Sequence, residues 1–412
     1  MKHFVWLLLS ISLLGNAQKA GIQFEKNKTW KEILARAASE KKNIMIDCFA
    51  TWCGPCKYMS NTVFPQAEAG SFYNANFINV KVQMDETEAD DAYVKSWYAT
   101  AKEMGEKYRV DAYPTYLFLS PNGELVHKFV GATDAAGFVA KGKAALDPNK
   151  QFFTLQKKYN AGNREAAFLK AFASAADEAG ESDLANEVAN LYLATQKDLL
   201  TKENLEFILQ YTTTSTTKGF DVLQKNTAKA DAVVGEYKAS RLVIAIITNE
   251  EVFSTIKKGY VPTATDWGNY EKKVTAKYPT HNVEAILKAK IVVYKFYKNW
   301  TSFLEVVFPY MEKFGIKEDA AGLNDYAFNV FEHSGNITHL NKALEWSKRS
   351  LAKEQIAAYL DTYASILYRV GKKTEAIEWQ TKAVNAANDA DEKEQYQDIL
   401  NKMKKGEKTW VD

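Results

Sequence analysis

The spacing of apolar residues changes character near position 148. Before it, short apolar runs alternate with helix-period segments; after it, the helix period continues with few strand signals. In the first part, residues 43–49 and 77–85 are apolar runs of strand length and read as buried strands, with residues 21–24 as a short one. Thr29 followed by Glu32 is a capping-box pattern, and Ile33, Leu34, Ala37 and Ala38 recur at helical spacing up to Lys42. A helix is expected from Gly54 to about Phe64, with Pro55 tolerated in its first turn. Tyr93, Trp97, Ala101, Met104 and Tyr108 predict a helix over residues 86–108. Residues 116–119 and 125–130 flank Pro121-Asn122-Gly123, a hairpin signal, and a last helix is expected over 134–146. Strand, helix, strand, helix, hairpin, helix is the order of an α/β layer with helices on both faces of one sheet.

Pro148-Asn149-Lys150 marks the boundary of an α-helical region over residues 148–412. Phe152, Phe153, Leu155 and Tyr159 open one helix, which Ala161-Gly162-Asn163 ends. Residues 166–179 and 183–193 predict a helical pair. Further breaks fall at residues 212–218, 260–262 and 278–280. Near the end the chain repeats itself: Asn324-Asp325-Tyr326-Ala327 with Ala343-Leu344-Glu345-Trp346 resembles Asp361-Thr362-Tyr363-Ala364 with Ala376-Ile377-Glu378-Trp379. The copies lie 33 to 37 residues apart, and Gly335 and Gly371 stand between the two helices of each copy. This resembles tetratricopeptide repeats, at least over residues 320–390, whose period is about 34 residues. About three units are needed for a stable stack, so residues 150–320 are expected to supply related helical hairpins. Tyr359, Tyr363 and Trp379 read as core, and residues 402–408 as a solvated lysine-rich tail.

The 412 residues are 46% apolar and 25% charged, as in globular proteins, and the net charge of +2 calls for no nucleic-acid partner. Lys2 followed by the apolar run 4–14 and the small residues Gly15-Asn16-Ala17 reads as a signal peptide over 1–17, cleaved before Gln18. The expectation is an exported, periplasmic protein with an α/β domain over 18–147.

The three cysteines, Cys48, Cys53 and Cys56, are clustered rather than spread as in a disulfide-stapled scaffold. Cys53 and Cys56, just after a strand and opening a helix, can close a disulfide within one turn. The spacing alone leaves a structural staple, half of a zinc site or a redox pair. A zinc site needs two more ligands, and the five histidines are scattered. Cys48 points to the opposite strand face from Asp47 and reads as a small buried hydrophobe.

Trp52-Cys53-Gly54-Pro55-Cys56-Lys57, with Asp47 before it, Lys81 in the next strand, Tyr113-Pro114-Thr115 before the hairpin, and Asn122-Gly123-Glu124 and Phe129-Val130-Gly131-Ala132 after it, resembles the thioredoxin family. The resemblance implies a thioredoxin fold followed by the all-α helical-repeat domain, and thiol:disulfide exchange without an external cofactor. Cys53 becomes the nucleophile. Cys56, one turn further in and less exposed, becomes the resolving thiol. Asp47 is a buried acid accepting the Cys56 proton, tuned by or paired with Lys81. Lys57 is a candidate for holding the thiolate, and Trp52 for an exposed apolar rim. Pro114 is expected to be cis, turning the Tyr113 backbone toward an extended substrate segment. Expected partners are protein thiol or disulfide substrates, a membrane electron donor and a protein on the helical domain. A second reading stays open: a helical-repeat interaction protein whose thioredoxin domain regulates or anchors binding.

Overall fold

A computed structural model describes residues 21–410; the expected signal peptide, residues 1–17, lies outside them. Four strands form one sheet in the order β2-β1-β3-β4: β1 (Asn43–Phe49), β2 (Phe77–Gln83), β3 (Thr115–Leu119) and β4 (Leu125–Val130). β1 runs parallel to β2 and antiparallel to β3, and β3 and β4 form the antiparallel hairpin. The five helices of this part are α1 (Trp30–Glu40), α2 (Gly54–Tyr58), α3 (Ala67–Asn76), α4 (Ala92–Tyr108) and α5 (Ala135–Leu146). A π-helical turn, Met59–Val63, follows α2 directly. The α/β fold is the one expected from the sequence.

The period of two in β1 sends its side chains into separate cores. Ile44, Ile46 and Cys48 pack with Ile33 and Ala37 of α1 and with Trp97, Ala101 and Met104 of α4. Met45 faces the other way and packs with Met59 and Val63 of the π turn, Tyr73 of α3 and Phe138 of α5. Asp47 and Phe49 share the face of Met45 by the same alternation. Thr29 and Glu32 form the expected capping box of α1.

Two local differences from the sequence reading have physical causes. α3 had no strong period because it packs through small residues, Ala69 and Gly70, and through Tyr73. A Cβ on Gly70 would come within 2.4 Å of the Gly21 carbonyl oxygen, so this crossing requires glycine. α4 begins at Ala92 rather than near residue 86, because the Asp91 side chain caps it by accepting the Val94 N–H. Ahead of it, Asp90 accepts from Gln83, from Thr87 and from the Tyr98 hydroxyl, which closes the preceding loop.

The break at Pro148 ends the α/β layer, but one compact unit extends to Gln196. Helices α6 (Phe152–Asn160), α7 (Ala166–Glu178) and α8 (Ser182–Thr195) follow, and α6 and α7 pack against the edge strand β4. α6 has no side-chain N-cap of its own; the buried His127 of β4 accepts the Phe152 N–H through Nδ1 at 3.1 Å. Burial lowers the His127 pKa to about 4, so this nitrogen is a neutral acceptor near pH 7. Lys128, also buried, donates to the Arg109 carbonyl at 3.1 Å and to Glu181 Oε1 at 3.3 Å. Gly180, at φ +77, lets this turn approach Val130.

A second compact unit starts at Lys197. Among its described residues it is all helix: α9 (Lys202–Tyr211), α10 (Lys218–Val234), α11 (Lys238–Glu251), α12 (Ala264–Lys277), α13 (Asn282–Phe296), α14 (Trp300–Phe314), α15 (Ala320–His333), α16 (Ile337–Lys353), α17 (Ala357–Arg369), α18 (Lys373–Ala386) and α19 (Ala390–Lys405). The repeated segments are the hairpins α15/α16 and α17/α18, and α13/α14 is a third packed pair. Tyr359 and Tyr363 are core residues, with Trp379 packed against them. The lysine-rich end differs from the tail expected. It is helical to Lys405, with Lys402, Lys404 and Lys405 in the last turn, where cations favour the helix terminus.

Glu181→Ala would leave the Lys128 ammonium, whose side chain is 5% exposed, with the Arg109 carbonyl and without its carboxylate. Losing one partner of a buried ion pair destabilises by about 3–5 kcal/mol, and the partial exposure of Glu181 reduces this to about 2 kcal/mol. The expected outcome is a lower urea midpoint for the first unit. An unchanged midpoint would show that the helices are held on β4 by apolar packing alone.

Candidate active site

The strand β1 ends at Phe49, and the chain turns through Ala50, Thr51 and Trp52 into α2. Cys53 is the N-cap of that helix in extended conformation, and Cys56 lies in its first turn. The two form a disulfide with their Cα atoms 5.3 Å apart. Cys53 Sγ also accepts the Cys56 backbone N–H at 3.1 Å. A donor aimed at this sulfur favours its thiolate once the pair is reduced. The expectation that Cys56 is the less exposed cysteine is not met: Cys53 is 3% and Cys56 4% exposed. Ala50, Phe49 and Tyr113 pack around the bonded pair. Position distinguishes them, because Cys53 precedes the helix and Cys56 is inside it.

Trp52 is 69% exposed, and its ring stands edge-on to Tyr113 at 5.9 Å, so these two aromatics form a rim beside Cys53. The Tyr113–Pro114 bond is cis, as expected. The Pro114 carbonyl accepts the Gly131 N–H at 2.9 Å, which ties this loop to the end of β4. Lys57 is exposed on α2.

Asp47 is 2% exposed and lies on the sheet face of Met45, which packs against the π turn, α3 and α5. Burial raises its pKa from 3.8 to about 7, against the pull of Lys81. Lys81 Nζ is 3.9 Å from Asp47 Oδ2, and its side chain is 29% exposed, so solvent screens the attraction and desolvation prevails. Tyr116, paired with Asp47 across β1 and β3, is also buried; burial and the nearby carboxyl push its phenol far above the ordinary range. Cys48 is buried on the opposite face, and burial likewise keeps it a thiol. Asp47 and Cys48 are thus both buried on opposite faces of β1, with Lys81 beside the Asp47 carboxyl.

Thr51 and Asp85 were not anticipated. Asp85 accepts the Thr51 N–H at 3.0 Å and also the Thr51 hydroxyl, holding the loop that leads into Cys53. The parallel register pairs Phe49 with Gln83, so two residues further on Thr51 and Asp85 come together. That register is a property of the sheet, and neither residue announces it in the sequence. Among the described residues there is no group of three or more His, Cys, Asp or Glu placed to hold a metal ion.

Comparison with known proteins gives a match to the family model described as "Thioredoxin-like domain" over residues 30–146. Thioredoxin-1 of Drosophila melanogaster is 34% identical over 97 residues, 24% of this chain and 74% of its own length. A solution structure from Bacteroides thetaiotaomicron, titled as a disulphide-isomerase candidate, is 38% identical over 32% of this chain and 98% of its own, with a TM-score of 0.26. Yeast Tom70 aligns with 65% of this chain and 60% of its own at 12% identity and a TM-score of 0.32, too remote to say anything of the helical region.

The raised pKa of Asp47 makes stability depend on pH. Between about pH 4 and pH 7 the folded protein keeps a proton on Asp47 that the unfolded chain releases, so stability falls as pH rises through that window. Three units correspond to about 4 kcal/mol. Asp47→Asn keeps the shape without the charge. It is expected to unfold at higher urea than wild type at pH 8 and at similar urea at pH 4. A difference independent of pH would show that Asp47 does not titrate in the neutral range.

Proposed function

The chain belongs to the thioredoxin family, and on that premise we propose that it is an exported thiol:disulfide oxidoreductase that reduces disulfides of protein substrates. The observation that carries this reading is the Cys53–Cys56 disulfide at the opening of α2, beside Tyr113 of the cis Tyr113–Pro114 bond, in a domain that also buries the Asp47 carboxyl.

In the reduced protein the Cys53 thiolate attacks one sulfur of the substrate disulfide. The substrate's S–S bond breaks, one substrate thiolate leaves, and Cys53 is joined to the other sulfur. Cys56 then gives its proton to the Asp47 carboxylate, and its sulfur attacks Cys53 Sγ. The mixed disulfide breaks, the second substrate thiolate leaves and takes a proton from solvent, and the Cys53–Cys56 bond forms. Two electrons pass from the cysteine pair to the substrate, so the step itself needs no cofactor. Trp52 and Tyr113 offer the substrate an aromatic rim, and the Tyr113 backbone offers an extended segment main-chain hydrogen bonds of the strand-addition kind.

Each turnover leaves the pair oxidised. Outside the cytoplasm a membrane disulfide-interchange protein is the proposed source of electrons, and the helical unit is the proposed docking place for a protein partner. Export rests on the pattern of residues 1–17, and a periplasmic host should process the chain to Gln18, read by the mass of the mature N-terminal peptide. An intact N-terminus in the exported fraction would make the segment an uncleaved anchor.

Activity is tested by reduction of a protein disulfide with the purified, reduced protein. Cys53→Ser is expected to abolish turnover, and Cys56→Ser to stall as a mixed disulfide visible by mass. Turnover surviving in Cys53→Ser would sink the proposal. Direction is read from the reduction potential of the pair. A value near about −270 mV supports a reductase, whereas one near about −120 mV would reverse the direction.

A further inference from the structure

The hydrogen bond of the Lys81 ammonium goes to Ser60 Oγ, at 2.6 Å, while Asp47 stands at 3.9 Å. Three rings surround the same nitrogen, with centroids at 4.6 Å for Phe49, 5.7 Å for Phe64 and 5.9 Å for Phe24. They come from separate places: Phe49 ends β1, Phe64 follows the π turn, and Phe24 makes an isolated bridge to Asn79 of β2. Ser60 belongs to the π turn itself, a widened turn of a kind often found at functional sites. A lysine on a strand next to water ordinarily extends its ammonium outward along a flexible stem. Here the rings attract the cation without fixing its direction. The Ser60 hydroxyl is the neighbour that gives it a direction.

We propose that Ser60 is a positioning residue of the redox site: its hydroxyl anchors the Lys81 ammonium within the Phe24, Phe49 and Phe64 rings, at a fixed distance from the carboxyl that receives the Cys56 proton. The inference rests on the role given above to Asp47. In that step the Cys56 S–H bond breaks, the proton passes to the carboxylate, and the electron pair left on sulfur forms the bond to Cys53. Asp47 has to be ionised at that moment. The titratable groups on its face of the sheet are Lys81 from β2, Tyr116 from β3, His127 from β4 and Tyr73 from α3, with the cysteine pair at the head of α2 and Cys48 beside it on the opposite face of β1. Lys81 is the cation among them and so favours the ionised form. Lys128, from β4, exerts its attraction on Cys48. Ser60 does not titrate, so its influence on Asp47 passes through the place it gives Lys81.

The test is a carbon-13 NMR titration of the Asp47 carboxyl in the full-length reduced protein, for wild type, Ser60→Ala, Ser60→Thr and Lys81→Met. Ser60→Ala is expected to move the inflection upward by about 0.5 to 1 unit, part of the 1–3 units that an opposite charge at this range contributes. Lys81→Met should move it further, and Ser60→Thr should return it to the wild-type value. Release of 5-thio-2-nitrobenzoate from its mixed disulfide with Cys53 should shift in pH profile with the carboxyl. The first attack by Cys53, measured in a Cys56→Ser background, should not change with Ser60→Ala. An unmoved inflection in Ser60→Ala, with a moved one in Lys81→Met, overturns the proposal. So does an equal displacement by alanine and threonine, which would mean that the turn and not the hydroxyl matters. Because the titration needs no substrate, wild-type protein that fails to reduce disulfides would remove the proposed function and leave the measured coupling of Ser60, Lys81 and Asp47 in place.

Discussion

Strand β1 lies between β2 and β3, with α1 and α4 over one face and the π turn, α3 and α5 over the other, so a charge placed on it has little water to keep it. Its apolar residues gain from this, at about 1.5–3 kcal/mol for each large side chain fully buried. Asp47 loses by the same burial, and the arrangement around it follows from how that loss is contained. A direct hydrogen bond to a lysine would pull the carboxyl back toward its ordinary range. The ammonium instead stands 3.9 Å away, partly screened by solvent, and Asp47 titrates near 7. The protein thereby keeps a group that exchanges a proton in the neutral range within a mostly apolar core, as active sites commonly do.

The other end of the sheet meets a different problem. β4 is an edge strand, and an open edge is a template for unwanted pairing. Helices beyond the α/β layer cover it, and two polar residues of β4 serve that purpose. His127 caps α6, and Lys128 reaches the carbonyl of Arg109 and the carboxylate of Glu181. Helices α6 to α8 are therefore part of the first compact unit in energetic terms, although the composition shift falls before them.

The strands and the redox pair were legible because their signals are local: apolar runs for β1 and β2, a turn signal for the hairpin, and the Cys-Gly-Pro-Cys spacing. Asp47 and Lys81 were legible through resemblance, and the parallel register that brings them together is visible only in the sheet. What escaped was of a different kind. α3 packs with alanine, glycine and one tyrosine, which leaves little period to read. The π turn is a change of hydrogen bonding that its residues do not announce, so the stretch read as plain helix to about Phe64 and nothing singled out Ser60. Thr51–Asp85 and Lys128–Glu181 join residues far apart in sequence, and each residue alone looks like a surface group.

In the helical unit the same question of buried charge has another answer. Lys288 of α13 pairs with Glu318, just before α15, at 2.6 Å, while Lys317 pairs back to Glu284 of α13 at 2.5 Å. Both carboxylates are buried, and the Tyr310 hydroxyl of α14 also donates to Glu318. Lys295 of α13 adds a third link, to Asp325 of α15. Apolar side chains between two helical hairpins would still make contact after a slip of one turn. These pairs would not, because a slip strands two buried carboxylates together, and an unpaired buried charge costs about 3–5 kcal/mol. The crossed pairs thus set the register of α13/α14 against α15/α16, a constraint that apolar packing alone does not supply.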